Sequence, residues 1–594
     1  MRHASETAAL LGRGACPRPT QPLTLLQSPR HLTGHVPTPR AKARAKMKYP
    51  DQPDSRFRYF GLIDNTGSTN VIKATKAAIK ECPREIFNFY LVTCVCIWSF
   101  SGVAKGFDEG NIASIVVMPS FKKRFGLDHL SEQAYANTKG WILAIATAGA
   151  VFGYLSCVYM TQRLGRKFTF QILSVVYIAG VLGQTFSGGN LAALYASRVI
   201  TGMGIGATTV IPSVYIAEVR VVFGFFINYG VTKNFAGTQK QWMLPTALQL
   251  VPAVIWLVGC TLTSETPRFL LAQNKRTEAL STLVKFRRLP EDHPYVRTEF
   301  ANMEHQLNLE LEVKSGSSFF DLVRETFGNV ENRRRFFLMF FCHIFGQWSG
   351  ANGITQYSPT ILGYLGISNT ETSFLATGIY AIVKFVSVLL FSLFMIDFIG
   401  RRRSLMTGIS RQIFTLAYIG AYLGATNGWS AERIESTPSA LAASRMAIVA
   451  IYFHAIAWSI GWFSIPYLFS AEIFPLRIRS LNVAVGMAVH WANYFGCSRA
   501  MPSLLVSTNR YGAFVFFCSV CVVSLGYVFF AMPETAGRSL ESMDKLFEQP
   551  WYNVHKIAYP KVEDLKQDLR TQKEVELDEE KADESAAGRA KHVE

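Results

Sequence analysis

Five charged or amide side chains interrupt long apolar stretches of this 594-residue sequence. They are Asp108, Arg198, Gln347, Asn352 and Lys384. Polar groups are costly to place in hydrocarbon, so those found inside apolar stretches are candidates for function. A carboxylate held beside a cation in such a setting can change its charge state, and this change can couple proton entry to a conformational change.

Two of these side chains are amides at a spacing that suits ligand binding. Gln347 and Asn352 are separated by about one and a half turns of helix. Gly350 lies between them and loosens the helix. Each amide can donate to one hydroxyl and accept from the next. The pair therefore suits a hydroxyl-rich ligand such as a sugar.

The elements that carry these residues are apolar stretches long enough to cross a membrane. A helix needs about 20 apolar residues to cross about 30 Å of hydrocarbon, and an isolated span satisfies its backbone only as a helix. The stretches are 88–106, 139–160, 168–187, 191–217, 241–262, 335–363, 373–396, 404–425, 444–470, 481–507 and 511–532. The sequence therefore predicts an all-α membrane protein.

Polar stretches divide the chain into five parts. We expect a mostly disordered cytoplasmic segment at 1–87 and a first transmembrane half at 88–262, followed by a cytoplasmic loop with short helices at 263–334. A second transmembrane half at 335–532 and a cytoplasmic tail at 533–594 complete the chain.

The first 46 residues are rich in Arg and Pro and carry one acid, Glu6. A mitochondrial transit peptide has a similar composition. A disordered tail, or a true start at Met47, explains it more simply.

The formal net charge of +18 comes from Lys and Arg clustered in short loops beside apolar stretches. This clustering is typical of the cytoplasmic loops of membrane proteins, so it favours a lipid bilayer over nucleic acid as the partner. The ten Cys lack the spacing of a disulfide framework or a zinc site. Since no nucleophile–base or nucleotide-binding pattern occurs either, we expect neither an enzyme nor a cofactor or metal.

A short cationic loop occurs twice. Residues 162–167 (QRLGRK) follow the second span, and residues 397–403 (DFIGRRR) follow the eighth expected span. Both are Gly turns loaded with cations at the end of an apolar stretch. The repeat predicts two homologous halves whose cationic loops face the same side, the cytoplasm.

Six further motifs lie in order along the chain. They occupy 198–206, 212–218, 264–268, 347–352, 472–479 and 533–539. Together they resemble the sugar-porter family of the major facilitator superfamily, over about residues 88–545. Stretches 352–359 and 490–494 are most similar to fungal permeases for hexoses, quinate or galacturonate.

This resemblance implies two pseudo-symmetric six-helix halves around a central cavity. It further implies secondary active transport of a sugar or sugar acid by alternating access, with proton symport. The protein would be a multi-pass protein of the plasma membrane with both termini in the cytoplasm. A transporter-like nutrient sensor is an alternative, although the about 60 residues after the last span form a short tail for such a sensor.

The resemblance also assigns residues to the substrate site. Gln347 and Asn352 match sugar ligands of the seventh span, and Tyr357 matches an aromatic of the outer gate. Tyr467 stands where relatives stack a Trp on the sugar, and core packing is its alternative role. The predicted substrate-binding set is Gln347, Asn352, Gln356, Tyr357, Lys384, Tyr467 and Trp491.

The sequence is compatible with either a neutral or an acidic substrate. The amides favour a neutral hexose or pentose. Lys384 would favour an organic acid if it binds a carboxylate, but it would be indifferent to substrate charge if it neutralises a partner on another helix.

Asp108 and Arg198 match a proton-coupling pair of related symporters. The alternative is a static structural pair, and the neighbouring Glu109 competes for the assignment. A second set of charges matches ion pairs that gate the cytoplasmic side, or that only orient the helices in the bilayer. This set is Arg166, Glu218, Arg401, Glu472, Arg479 and Glu534.

The chain is short where relatives have a fifth helix. Only nine residues separate Glu218 from Asn228, and the stretch 219–231 supplies about 20 Å of helix, too little to cross the hydrocarbon. An internal deletion or a gene-model error explains the shortage. We expect this stretch to be forced into the first half, leaving a gap about 10 Å deep and a protein that transports poorly or is inactive.

Overall fold

The regular structure of the protein is helical throughout the part that can be described. The computed structural model describes residues 83–208, 214–314, 318–367, 370–535, 543 and 546–557. All of them belong to one compact unit, 55–574. The predicted all-α fold is confirmed. The predictions for the start at Met47, for most of the N-terminal segment and for the tail beyond 557 lie outside the described residues.

The first half contains helices α1 to α7. These are α1 (Phe89–Ile115), α2 (Pro119–Arg124), α3 (Glu132–Thr185), α4 (Leu191–Ala207), α5 (Val214–Asn234), α6 (Lys240–Leu248) and α7 (Leu250–Leu262). Helix α3 is two membrane legs joined at Gly165, whose φ of +86° interrupts the helix. Asn88, Ser131 and Asn190 cap α1, α3 and α4 by accepting from backbone N–H groups, as short polar side chains do at helix starts.

Four short helices follow on the polar stretch between the halves. They are α8 (Pro267–Ala272), α9 (Arg276–Arg287), α10 (Pro294–Lys314) and α11 (Phe319–Gly328). Ion pairs Arg268–Glu310 and Arg276–Glu304 tie α8 and α9 to α10. The mixed charges of this stretch thus hold surface helices together.

The second half contains helices α12 to α22. These are α12 (Val330–Trp348), α13 (Ala351–Tyr364), α14 (Thr370–Leu390), α15 (Ile396–Ile399), α16 (Arg401–Ala425), α17 (Ala431–Ser436), α18 (Pro438–Ile460), α19 (Ile465–Glu472), α20 (Leu476–Ser507), α21 (Tyr511–Ala531) and α22 (Val554–Ile557). A π-helical turn (Phe391–Met395) joins α14 to α15. The predicted span 335–363 is broken at Gly350, whose φ of +87° separates α12 from α13.

Six of the described helical stretches are long and apolar enough to cross a membrane. They are Phe89–Ile115, Glu132–Thr185, Lys240–Leu262, Thr372–Leu390, Pro438–Glu472 and Tyr511–Ala531. The remaining predicted spans are also helical, but they are shorter or carry more polar residues, as expected for helices that line an interior.

The two halves meet at the end opposite the cationic turns. Gly140, near the start of α3, packs against Arg499 and Pro502, near the end of α20. Gly378 of α14 packs against Phe226 of α5. Because the cationic turns lie at the other ends of these helices, the halves are in contact on the side predicted to be extracellular.

The fourth and fifth helices depart most from the predicted spans. The fourth span was predicted over 191–217, but α4 ends at Ala207. The fifth was predicted to retain only 219–231, but α5 has 21 residues because the last residues of the predicted fourth span belong to it. The shortage is therefore shared between two helices, and the predicted boundary at 217 is wrong.

Contacts with α3 show how far α4 reaches. Gly202 lies against the backbone oxygen of Ala146, and Gly206 lies against that of Ala150. The end of α4 is therefore level with the middle of the first leg of α3. That leg continues to Gly165 for about 14 residues, or roughly 20 Å, beyond the end of α4.

Contacts with α1 give the same result for α5. Gly224 lies against Phe107 and Asn111, and Asn228 donates to Asn111 Oδ1 at 3.0 Å. Gly224 is the eleventh residue of α5, whereas its neighbours lie about 20 residues into α1. The first residue of α5 therefore lies about 15 Å farther from the cytoplasmic side than the first residue of α1. Within the described residues, both helices stop short of the cationic face, and we call the space beyond their described ends the cytoplasmic notch.

The internal repeat shows what the notch lacks. The fourth and fifth membrane elements of the second half are the 35-residue stretch Pro438–Glu472 and α20, with 32 residues. Their counterparts α4 and α5 have 17 and 21 residues. The missing length comes from the facing ends of both helices and the loop between them.

Candidate functional site

A small cavity of about 10 Å³, enough for about one water molecule, lies between the two halves. Helices α1, α3 and α4 form one side of it, and α13 and α20 form the other. Its lining residues are Asp108, Glu109, Ile112, Leu143, Ala146, Thr147, Arg198, Ile205, Gln356 and Trp491. The cavity thus brings together both predicted proton-coupling residues and two of the predicted substrate residues.

Asp108 and Arg198 form a buried ion pair on the first-half side of the cavity. Arg198 Nη1 lies 3.0 Å from Asp108 Oδ1, and both side chains are almost fully buried. Arg198 also donates to the carbonyl oxygens of Ile142 and Leu143, at 2.5 and 3.3 Å, and to Gln184 Oε1 at 3.3 Å. Since an arginine keeps its proton, Asp108 is the member of the pair that can change charge.

A hydrogen-bonded network lies on the second-half side. Asn352 Nδ2 donates to Gln347 Oε1 at 2.6 Å, and the amide nitrogen of Gln347 lies 3.0 Å from His490 Nδ1. Tyr467 Oη lies 3.0 Å from His490 Nε2. The break at Gly350 allows amides from α12 and α13 to meet. His490 thus joins the Gln347 amide to the Tyr467 hydroxyl.

Sequence reasoning missed the two histidines of this region. His343 Nε2 lies 3.1 Å from Ser470 Oγ, and its ring stands 5.6 Å from that of His490. Both histidines are buried within apolar helices. Their position inside apolar stretches was the available signal, since intramembrane polar groups are functional candidates.

Trp491 separates this network from the cavity. Its ring packs edge-on to His490 at 6.0 Å and stacks on Tyr494 at 5.8 Å. Tyr494 Oη accepts from Gln356 Nε2 at 3.3 Å. Gln356 and Trp491 therefore reach the cavity directly, whereas Gln347 and Asn352 do not line it.

The structure places Gln347, Asn352 and Tyr467 together but not on the lining of this cavity. All three were predicted to bind substrate, and none of them lines this cavity. Gln347 bonds to His490 instead, and Asn352 bonds to Gln347, so each of these buried amides has a hydrogen-bond partner.

Tyr357 lies toward the predicted extracellular side. Its hydroxyl donates to the carbonyl of Ser498 at 2.9 Å, and Lys139 Nζ stands 5.2 Å from its ring. Lys139 of the first half also donates to Thr360 of the second half at 2.5 Å. Tyr357 is thus part of the contact between the halves.

Lys384 lies away from the cavity. Its Nζ stands 4.6 Å from the ring centre of Trp458 and 3.5 Å from Thr355 Oγ1, between α13, α14 and α18. The ammonium is buried in the second half, with its charge against an aromatic face. Lys384, which was predicted to bind substrate, therefore does not line this cavity.

The cationic turn of the second half carries a complete polar network. Arg401 Nη2 pairs with Glu472 Oε1 at 3.0 Å, and Thr535 Oγ1 donates to Glu472 Oε2 at 2.6 Å. Glu534 accepts from the backbone N–H groups of Arg401 and Arg402 at 2.7 and 3.1 Å. These are the first N–H groups of α16, which have no partner inside the helix.

Glycine is required at the start of that turn. Gly400 has a φ of +88°, and a Cβ there would lie 2.5 Å from Glu534 Oε2. Arg479, also predicted to gate, donates from Nε to the carbonyl of Phe474 at 2.9 Å. It therefore holds the turn between α19 and α20.

The first half repeats this arrangement with Glu265, which sequence reasoning had not assigned to the gate. Glu265 accepts from the N–H groups of Arg166 and Lys167 at 3.2 and 2.9 Å, beside Gly165. The signal was the Glu-Thr pair shared by 264–268 and 533–539. Each half thus has one acid that caps its cationic turn.

The Glu218 side chain, the expected partner of Arg166, lies outside the described residues. Its backbone lies in the second turn of α5. The cationic turn is level with Tyr90 at the start of α1, because Tyr90 Oη lies 3.3 Å from Ser264 Oγ, next to Glu265. The contacts of Gly224 then put the Glu218 backbone about 20 Å from that turn along the helix axis.

Residues 94–547 match the model of a family described as "Sugar (and other) transporter". The chain belongs to this transporter family, within the major facilitator superfamily. Its relatives include quinate permeases of Neurospora terricola, 32% identical over 81% of this chain and 94% of the relative, and of Emericella nidulans, 30% identical over 80% and 92%. Such relatives are permeases and not enzymes.

Solved structures of the proton:xylose symporter XylE share the fold. The form bound to 6-bromo-6-deoxy-D-glucose has a TM-score of 0.61 and 20% identity, over 77% of this chain and 99% of XylE. The inward-open form of XylE from E. coli also has a TM-score of 0.61, with 18% identity over 77% and 100%. The predicted major facilitator fold is confirmed.

Among the described residues, no group of three or more His, Cys, Asp or Glu side chains is arranged to hold a metal ion.

Proposed function

We propose that this protein is a proton-coupled symporter for a polyhydroxylated ring compound, working by alternating access. The observation that carries the proposal is the Asp108–Arg198 pair on the lining of the cavity that Gln356 and Trp491 share. Protonation of Asp108 weakens its attraction for Arg198 and so frees α1 from α4. Proton binding and the packing of two cavity helices are coupled in this way.

The substrate class that we favour is a sugar or a cyclic sugar acid of the quinate type. The quinate permeases among the relatives support the acid. Gln356 lines the cavity and can donate to one hydroxyl and accept from another, and both substrates carry several hydroxyls. Quinate and xylose are therefore the first two compounds to test. The plasma membrane, with both termini cytoplasmic, is the proposed location.

The test of proton coupling requires a version of the chain without the cytoplasmic notch. We define the repaired chain as one in which residues 208–213 are replaced by the corresponding longer segment of the Neurospora terricola quinate permease. In the repaired chain, Asp108→Asn should abolish uphill accumulation and leave downhill exchange, because a neutral amide cannot release a proton. Uptake of labelled substrate into vesicles with and without an imposed pH gradient measures both.

Glu109→Gln is the matched control, since Glu109 lines the same cavity but is not a member of the Asp108–Arg198 ion pair. It should retain uphill accumulation. Accumulation by Asp108→Asn that equals that of the unsubstituted repaired chain would remove Asp108 from the coupling mechanism.

The cytoplasmic notch favours a second candidate function for the chain as it stands. A protein that lacks the facing ends of α4 and α5 can bind substrate yet fail to close its cytoplasmic side. Binding without transport would suit a nutrient sensor or an inactive product. Substrate-dependent thermal stabilisation of the purified chain, together with absent uptake, would identify this case.

A further inference from the structure

A second and larger cavity lies far from the transport pathway. It is a groove of about 400 Å³ at the cytoplasmic ends of α12 and α21, closed on one side by residues 546–554. Arg333 and Arg334 lie at its polar end, and Phe337, Phe341 and Tyr527 line its apolar part. We call it the α12–α21 groove.

Three consecutive arginines at the start of α12 have three different surroundings. Arg334 Nη1 donates to the carbonyls of Phe547, Glu548 and Gln549 at 2.8, 2.7 and 2.8 Å. Arg335 is buried with its guanidinium 4.9 Å from the ring centre of Phe547. These two arginines fasten the wall of the groove to the helix.

The third arginine of this run, Arg333, has a different environment. Its side chain is exposed, and within the described part of the chain it makes no hydrogen bond or ion pair. It lies on the same cytoplasmic side as the cationic turns. An unpaired guanidinium at that depth faces the headgroup layer of the membrane, whose cytoplasmic leaflet is anionic.

An apolar path leads from Arg333 into the hydrocarbon. Phe337 and Phe341 follow it at intervals of four residues, so they lie below it on one face of α12 at steps of about 6 Å. Their side chains remain 43% and 36% exposed. Trp551 is 53% exposed at the polar rim, a position that aromatic rings favour at the membrane interface.

We propose that the α12–α21 groove binds one anionic glycerophospholipid of the cytoplasmic leaflet. Its phosphate lies on Arg333, and an acyl chain lies along Phe337, Phe341 and Tyr527. The cation, the apolar path and the interfacial Trp match the three parts of such a lipid in the order in which they occur across a leaflet. The lipid would brace residues 546–554 against α12 and α21. The site does not depend on the proposed transport function.

The test uses the full chain purified in detergent with equal amounts of phosphatidylserine and phosphatidylcholine. Native mass spectrometry counts the lipids that remain bound. We expect one phosphatidylserine retained in preference to phosphatidylcholine, and Arg333→Gln should lower this preference about fivefold, as expected for one interfacial cation. Arg324→Gln, which removes another exposed cytoplasmic arginine outside the groove, should leave it unchanged.

The acyl-chain part has its own pair of variants. Phe337→Ala should reduce retention of both lipids, whereas Phe414→Ala, at a 75% exposed Phe on α16, should reduce neither. A photoreactive phosphatidylserine should crosslink to residues 330–341 or 546–557. Equal retention by Arg333→Gln and Arg324→Gln would overturn the proposal. Displacement of the lipid by millimolar inorganic phosphate, or crosslinks that map elsewhere, would overturn it as well.

Discussion

The number of hydrogen bonds made by Arg198 and by Asp108 determines which of the two is fixed in place beside the cavity. Arg198 has four partners within 3.3 Å, so its guanidinium is fixed in place. Asp108 accepts one of these bonds. An acid whose charge is matched by one well-fixed cation can be neutralised without collapse of the surrounding structure, as a proton-coupling residue requires.

The position of Lys384 predicts that its charge does not discriminate between an acidic and a neutral substrate. In the repaired chain, Lys384→Gln should lower uptake of quinate and of xylose by the same factor, because its ammonium lies against Trp458 and away from the cavity. Parallel uptake assays with the two labelled substrates measure this factor. Lys233→Gln, at an exposed Lys on α5, is the control and should change neither uptake. Loss of quinate uptake alone would return Lys384 to the substrate site.

The sequence predicted the ion pair at the cavity but only part of the hydrogen-bonded network around His490. Asp108 and Arg198 were found through the family resemblance, and their side chains are in contact. His490 and Glu265 were missed because their hydrogen bonds are with residues more than 90 positions away in the chain. A histidine in an apolar stretch resembles a core residue until its hydrogen bonds are known.

At the scale of helices, the cationic turns are the most regular feature. Gly165 and Gly400 both have a positive φ, and both lie against a carboxylate that caps the following helix. The acids come from the ends of the last span in each half. The turns therefore fasten the third span to the sixth, and the ninth to the twelfth, in two equivalent ways.

This arrangement predicts a loss of stability when a side chain is added at the turn. Gly400→Ala should lower the free energy of unfolding by about 1–3 kcal/mol, because it combines a positive φ with a clash against Glu534. Thermal unfolding of the purified protein in detergent measures the change. Gly526→Ala in α21, where a Cβ would meet open space, should not destabilise. An equal melting temperature for Gly400→Ala and the unsubstituted chain would contradict this account of the turn.

Helix boundaries were harder to predict than helix existence. Apolar length alone cannot show where a helix breaks or ends, because the break at Gly350 and the end of α4 at Ala207 both lie inside continuous apolar stretches. The division of residues between α4 and α5 follows from packing on α3 and α1. Pro212 and Ser213, directly before α5, are a local signal for a helix start that the predicted span 191–217 did not use.

At the scale of the molecule, the two halves differ where their repeat should be the same. The second half has full-length fourth and fifth elements and a complete network around Glu472. In the first half, the backbone of Glu218 is about 20 Å from the turn that it would serve. The halves already meet on the predicted extracellular side. Closure of the cytoplasmic side therefore lacks both the helix ends and one of its acids.

The measurement that tests this account most directly compares uptake by the chain as it stands with uptake by the repaired chain. Labelled quinate and xylose are supplied to cells without transporters of their own, and rates are divided by the amount of each protein at the surface. We expect the repaired chain to transport and the chain as it stands to have a rate at least about tenfold lower. This ratio corresponds to an increase of about 1.4 kcal/mol or more in the free-energy barrier to closure of the cytoplasmic side. Equal rates per molecule would show that the cytoplasmic notch does not impair the transport cycle, and would contradict the account.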